Sequence, residues 1–278
     1  KDTLVIMSRT MKDLSIFSRA NLWPVPEIAA LIGAVFYYVA PPPPMTITIS
    51  SGFPNGGYET FAKKLQAELE TQGFELKIIP SSGSQQNTQR LLDPDSGVDI
   101  ALLQSGQELT LTEEQRSKLF SLGAMYQEPL WLLVRKDVAI ETMSDLKNLR
   151  VAIGSANGGI SILVRPLLKA SGIDLESLSE NLVEYSGPRA AEDLLNNKLD
   201  AIFLMVPPEN AFLQSFAANP EVRLFHFAHA EAFERHFPYI SRLNVSRGLL
   251  NLANDIPHRD LTTLSSKALL VVNESFHP

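Results

Sequence analysis

From residue 45 onward, short apolar runs alternate with amphipathic stretches, and this alternation restricts the chain to an α/β fold with largely parallel strands. The stretch 45–50 alternates apolar and polar residues as a half-buried strand does. A glycine-rich turn at 52–57 follows it. Tyr58, Phe61, Ala62, Leu65 and Leu69 then recur at helical spacing, with Lys63, Lys64, Glu68 and Glu70 on other faces, and Gly73 ends that helix. A strand over 74–79, a polar loop over 80–86, a helix running to Leu92 and a strand over 98–103 complete a βαβαβ unit. A second series opens with an apolar strand over 129–135 and a short helix capped by Ser144, ahead of a strand over 150–153. Its own glycine-rich turn, 154–159, leads into a helix carrying Ile160, Leu163, Val164, Leu167 and Leu168, with Pro166 predicted to kink it unless it falls near the first turn. Strands over 182–185, 201–205 and 223–227 follow, with helices over 189–196 and 209–217 between them. The pattern predicts two lobes of one plan, 45–128 and 129–240, with 241–278 returning towards the first.

Ahead of the lobes, residues 22–40 are apolar apart from Glu27, close to the roughly 20 residues needed to cross a bilayer. Arg9, Lys12 and Arg19 precede this stretch, and no charged residue follows it until Glu59. The positive-inside bias therefore predicts a cytoplasmic segment over 1–21, a transmembrane helix over 22–40, a proline spacer over 41–44, and both lobes outside the membrane. The same stretch read as a cleaved signal peptide leads to the same compartment without the anchor.

Composition narrows the function. A net charge of −7, with acidic residues spread along the chain, opposes binding to nucleic acid phosphates. The chain has no cysteine, which removes disulfides, thiol nucleophiles and thiolate metal sites. Neither a Gly-x-Ser-x-Gly elbow, a Walker loop nor a His-Glu-x-x-His pair occurs, and the turn at 52–57 lacks the three-glycine dinucleotide pattern. His226, His229, Glu231, Glu234 and His236 have the composition of a metal site, but a strand over 223–227 takes His226 off the following helix, and the others read as solvated side chains. No catalytic residue, cofactor or metal is expected.

What remains is four loops at the carboxyl ends of strands, where open α/β sheets bind ligands and helix N-termini offer free N–H groups to anions. They contain Ser51, Gly52, Asn55, Gly56, Gly57 and Tyr58; Ser82, Gly83, Ser84 and Asn87; Gln104 and Ser105; and Ser155, Asn157, Gly158, Gly159 and Ser161. Hydroxyls, amides and glycine backbone can hold a carboxylate without supplying an acid, base or nucleophile. Taken singly, each loop reads equally well as a turn or helix cap. Arg165 and Arg189 are candidate carboxylate clamps that read better as surface residues, and Tyr126 and Trp131 are aromatics for a cleft wall or for core.

These stretches carry a family resemblance. The glycine-rich turn at 51–58, Ser-Ser-Gly-Ser-Gln-Gln-Asn ending at Asn87, Val98-Asp99-Ile100-Ala101-Leu102-Leu103-Gln104, the run from Asp145-Leu146-Lys147 to Gly154, and Asp200-Ala201-Ile202-Phe203 together resemble the TAXI solute-binding proteins of TRAP transporters, in order, across 45–278. The resemblance implies a two-lobed type II periplasmic-binding fold whose cleft closes on a small anionic solute such as glutamate or a dicarboxylate. It also implies TRAP-type permease subunits as partners, a periplasmic soluble domain at the inner membrane, and further helices after the strand at 268–272. A membrane-anchored sensor or assembly factor would use the same fold without a permease.

Overall fold

The computed structural model describes residues 24–39, 45–54, 56–156, 158–175 and 180–276. The chain divides into two units, 1–44 and 45–278. The first contributes one helix, α1 (Pro24–Val39), which starts on a proline whose fixed φ suits a first turn and carries exposed Ile28, Leu31, Ile32 and Val35. Its 16 residues span about 24 Å at 1.5 Å per residue, less than a bilayer core of about 30 Å. No helix among the described residues is long and apolar enough to cross a membrane. Residues 22, 23 and 40 of the predicted span, and the proline spacer, lie outside the described residues.

The second unit is a mixed sheet flanked by helices. Its elements are β1 (Thr46–Ser50), α2 (Gly57–Thr71), β2 (Glu75–Ile79), α3 (Ser84–Leu92), β3 (Ile100–Gln104), α4 (Glu113–Ser117), β4 (Leu119–Arg135), β5 (Val151–Ala152), α5 (Gly159–Ala170), β6 (Leu182–Val183), α6 (Pro188–Leu195), β7 (Ala201–Met205), α7 (Ala211–Ala217), β8 (Val222–Leu224), α8 (Ala230–His236), β9 (Ser241–Val245) and β10 (Leu261–Asn273). The strand order is β2-β1-β3-β10-β4-β7-β5-β6, with β8 on β4 and β9 on β10. The β1 to β3 pairs and the β5 to β7 pairs are parallel, whereas β4 and β10 run antiparallel to their neighbours.

Two lobes share this sheet. β2, β1 and β3 belong to the first and β7, β5 and β6 to the second, while β4 (17 residues) and β10 (13 residues) pass through both, paired with each other. The central strands are apolar on consecutive residues because both their faces are covered. Leu130, Leu132 and Val134 of β4 enter one core with Phe203 and helix α5, and Trp131 and Leu133 enter another with Ile202, Leu194 and Leu213. The first lobe packs Ile49, Leu76, Ile100 and Leu102 against Tyr58 and Ala62 of α2.

Several boundaries differ from the sequence reading. β4 begins ten residues before 129, and β10 begins at Leu261 instead of 268. The turn expected to be capped by Ser144 starts at Met143, after Thr142, whose N–H and hydroxyl both donate to Asp145 Oδ2 at 2.8 and 3.1 Å. Pro166 sits inside α5, which continues to Ala170 with one backbone donor fewer.

Candidate functional site

Three of the helices around the junction begin on glycine. Gly56, Gly83 and Gly158 are the N-cap residues of α2, α3 and α5, and with no side chain they cannot cap the first turn, so its N–H groups stay open to another acceptor. At Gly83, φ is +108°, a value side chains other than glycine rarely take.

A continuous line of contacts joins these helix starts to the strands. The Tyr58 hydroxyl at the start of α2 donates to Glu128 Oε2 on β4 over 3.3 Å and lies 3.1 Å from Ser84 Oγ at the start of α3. Ser84 Oγ accepts from the Gln104 backbone N–H at 2.8 Å, and Gln104 Nε2 donates across to the Gly159 carbonyl at the start of α5, at 3.0 Å. With the Tyr58 proton directed at Glu128, Ser84 donates to Tyr58. The line therefore runs from the first lobe through both its helices and into the second.

Register explains why these side chains meet. Gln104 stands opposite Ala268, Ala268 opposite Tyr126, and Ser266 opposite Glu128, and residues opposite one another, or two apart along a strand, share a face. On that face Leu130 and Leu264 belong to the second lobe's core, and Tyr126 and Ala268 pack in the first lobe's core. Glu128 and Ser266 make a polar seam between the two. This seam lies between the two cores, beside the starts of α2 and α3.

Burial pushes the Glu128 carboxyl up to about 7, which the Tyr58 hydrogen bond only partly offsets. Burial, and then the Glu128 charge, raise the Tyr58 and Tyr126 hydroxyls as well. The Tyr126 hydroxyl is buried and has no hydrogen-bond partner among the described residues. Stability should follow. Glutamate ionises near 4.5 when unfolded but near 7 here, so between those values the unfolded chain holds fewer protons and stability falls as pH rises. Across that window Glu128 costs on the order of 3 kcal/mol. Urea unfolding from pH 4.5 to 8 should show this decline in the wild type and a flatter profile in Glu128→Gln; parallel profiles would refute it.

The remaining predicted residues divide by position. Gly57 lies under the Tyr126 ring, where an added Cβ would come within 3.1 Å of the hydroxyl, and in Gly52 it would come within 2.9 Å of the Tyr58 Cβ. Gly57, Tyr58, Ser84, Gln104 and Gly159 thus come together. Ser51, Asn87, Ser105 and Ser161 are buried with their side chains engaged inside the protein. Ser51 Oγ donates to the Ile79 carbonyl, and Asn87 accepts from Ser50 Oγ at 2.6 Å while donating to the Ser51 and Leu102 carbonyls at 2.7 Å each. Ser105 Oγ donates to the Tyr239 carbonyl and accepts from the Lys267 N–H, and Ser161 Oγ accepts from Arg165 Nε. Ser82 and Ser155 are exposed. Asn55 and Asn157 lie outside the described residues.

Arg165 also pairs with Glu184, and Arg189 lies 4.2 Å over the Tyr185 ring. Trp131 is core, its indole N–H donating to the Val206 carbonyl. Among the described residues no group of three His, Asp or Glu could hold a metal ion. Sequence reasoning missed Glu128. Its signal was an acidic residue directly before a long apolar strand and two positions after a tyrosine.

Two α/β lobes sharing one sheet through two long strands, with helix starts facing the seam between them, define a periplasmic-binding-protein type of fold. The chain belongs to the NMT1-like family, whose model matches residues 58–277. Among solved structures it is similar to a hydrogen-peroxide-bound mutant of OxyR from Corynebacterium glutamicum, with 12% identity over 93% of this chain and 69% of that one and a TM-score of 0.54, which is a likeness of fold. An ancestral arginine-binding protein bound to arginine matches at 14% identity over 84% of this chain and 86% of that one, with a TM-score of 0.49. The periplasmic aliphatic sulphonate binding protein SsuA from Escherichia coli matches at 15% identity over 80% and 61%, with a TM-score of 0.46.

Proposed function

We propose that this chain is an extracytoplasmic solute-binding protein that takes a small carboxylate-bearing solute between its lobes for delivery to a TRAP-type membrane permease. The observation that carries the reading is the meeting of three glycine-capped helix starts, at Gly57, Ser84 and Gly159, along a line of polar contacts that crosses from lobe to lobe. Open backbone N–H groups and the positive ends of helices favour a carboxylate, and closure removes its water, so several donors are needed at once. Gln104 reaches both lobes and would hold them closed over the solute through its bond to Gly159. Order and spacing of the motifs over 45–278 support the TAXI subfamily, and with it the permease.

In the same reading α1 helps hold the protein at the inner membrane, with the lobes in the periplasm. The exposed apolar side chains around α1, and the charge asymmetry about residues 22–40, support it. One preparation tests both parts. The full chain should fractionate with membranes, and native mass spectrometry should find a small acid bound to it. Recovery as a periplasmic protein cut near residue 40 would remove the anchor, and a bound species without a carboxylate would remove the solute assignment.

A further inference from the structure

Lys267 stands opposite Gln127 on β4, one residue along from the pair of Glu128 and Ser266, so its side chain leaves the sheet on the alternate face. There it borders an open cavity of about 620 Å³, within the roughly 300–1,000 Å³ of small-molecule sites. No residue of the polar line between the helix starts borders this space. Its apolar walls come from both lobes, Leu109 from the first and Pro166, Phe237, Pro238 and Tyr239 from the second. The Phe237 and Tyr239 rings meet at 61° with centroids 5.8 Å apart and form an aromatic corner. Tyr239 is fixed there twice over. Ser105 Oγ donates to its carbonyl at 2.7 Å, and its ring lies so close to Gly106 that an added Cβ would come within 2.7 Å of Cδ2. Leu109, by contrast, leaves 59% of its surface in water. The charged groups of the lining differ in what already holds them. Glu108 Oε2 accepts from the Gly106 N–H at 2.8 Å and His236 turns Nδ1 to the Ala232 carbonyl at 3.1 Å, whereas the Lys267 ammonium takes part in no hydrogen bond or ion pair among the described residues.

We propose that this cavity is a second binding site, separate from the solute cleft, for a small ring-bearing acid with a single negative charge. Flat apolar rings match the corner made by Phe237 and Tyr239 and the proline faces beside it, and they take Leu109 out of water. The acidic group meets the Lys267 ammonium, which supplies three donors and no competing acceptor. One charge is the limit, because the Glu108 carboxylate on the same cavity repels a second. The assignment stands whatever solute the cleft takes. It also gives the site an effect on the lobes. Since both of them form its walls, its shape changes with the angle between them, and a molecule that fits one angle favours that angle.

The test is photolabelling of the full chain with a diazirine derivative of 1-naphthoate, read by mass spectrometry of its peptides. Peptides that contain Leu109 or residues 236–239 should carry the label. Competition for that label ranks ligands better than total binding does, because α1 exposes apolar side chains of its own. Unmodified 1-naphthoate should displace the label at a concentration on the order of 10-fold lower than neutral 1-naphthalenemethanol does, the size of one charge-assisted hydrogen bond, and at a lower concentration than the flexible decanoate. Lys267→Gln should remove the preference for acid over alcohol. Leu109→Asp, at a position already exposed, should weaken naphthoate by about 10-fold or more. Small-angle scattering at saturating naphthoate should show a changed radius of gyration for the wild type and a smaller change for Leu109→Asp at the same concentration. Equal displacement by acid and alcohol, stronger displacement by decanoate, or label confined to α1 or to the helix starts at 57, 84 and 159 would overturn the site. An unchanged radius of gyration would overturn its link to the lobe angle.

Discussion

Replacing Asn87 by alanine should destabilise the protein by about 3 kcal/mol, because it removes three buried hydrogen bonds at once. Asn87 has no exposed surface. Its amide accepts from Ser50 Oγ and donates to the carbonyls of Ser51 and Leu102, so it ties α3 to the end of β1 and the middle of β3. Alanine would take the acceptor from the Ser50 hydroxyl and a donor from each of two carbonyls, although Arg90 Nη1 still donates to Ser50 Oγ at 2.8 Å and Ser81 Oγ to the Ser51 carbonyl at 3.2 Å. In the sequence reading Asn87 is a ligand contact, whereas its three bonds inside the protein also make it a brace for the frame of the site. Equilibrium urea unfolding decides between these. A variant of unchanged stability that binds solute more weakly would return Asn87 to the ligand.

Gly159→Ala should weaken solute binding by roughly 10-fold to 100-fold, the cost of losing a buried hydrogen bond or two between the lobes. A Cβ at this position would lie 2.0 Å from Gln104 Oε1, far inside contact distance, so the amide that bridges the lobes must leave. The helix itself should tolerate the change, since alanine is the better helix former. The effect should therefore appear in affinity and in closure, read by titration and by small-angle scattering, with unfolding little altered. Gln104→Ala in the same chain removes the clash, and the two losses should combine to less than their sum. Strict additivity would show that the two residues act separately.

The elements that local pattern could reveal were those with a regular face. Tyr58, Phe61, Ala62, Leu65 and Leu69 mark α2 because one side of it meets the sheet, and the unbroken apolar run of 130–134 marks a strand covered on both faces. The first half of β4 has neither property. It pairs with β10 through two register shifts, β7 does not begin beside it until Leu130, and it leaves Phe120 and Leu122 exposed, so no alternation develops. The start of β10 was hidden for another reason. Thr263, Ser265 and Ser266 are polar yet fully enclosed, and hydroxyls in a row read as a turn until the sheet around them is known. In the candidate site, glycine-rich turns announced where helices begin, because that chemistry is local. Which polar side chains face the cleft and which brace it depends on contacts as distant as Gln104 with Gly159, and no spacing rule distinguishes Asn87 from Glu128.

The place where the lobes join is narrower than the long strands suggest. Along β10, β3 reaches as far as Ala268 and β9 starts at Ser265, so Ser266 and Lys267 are flanked by neither, and on the other side β7 reaches only to Leu130. Over that gap the sheet is a ribbon of two strands, which resists sliding and stretching but yields to bending and twist. Mechanically it is a flexure, stiff within the plane of the sheet and compliant across it. Glu128 lies within it, opposite Ser266. A contact made at that point would act where the lever arm is shortest, so a small displacement there would correspond to a large swing at the far edges of the lobes.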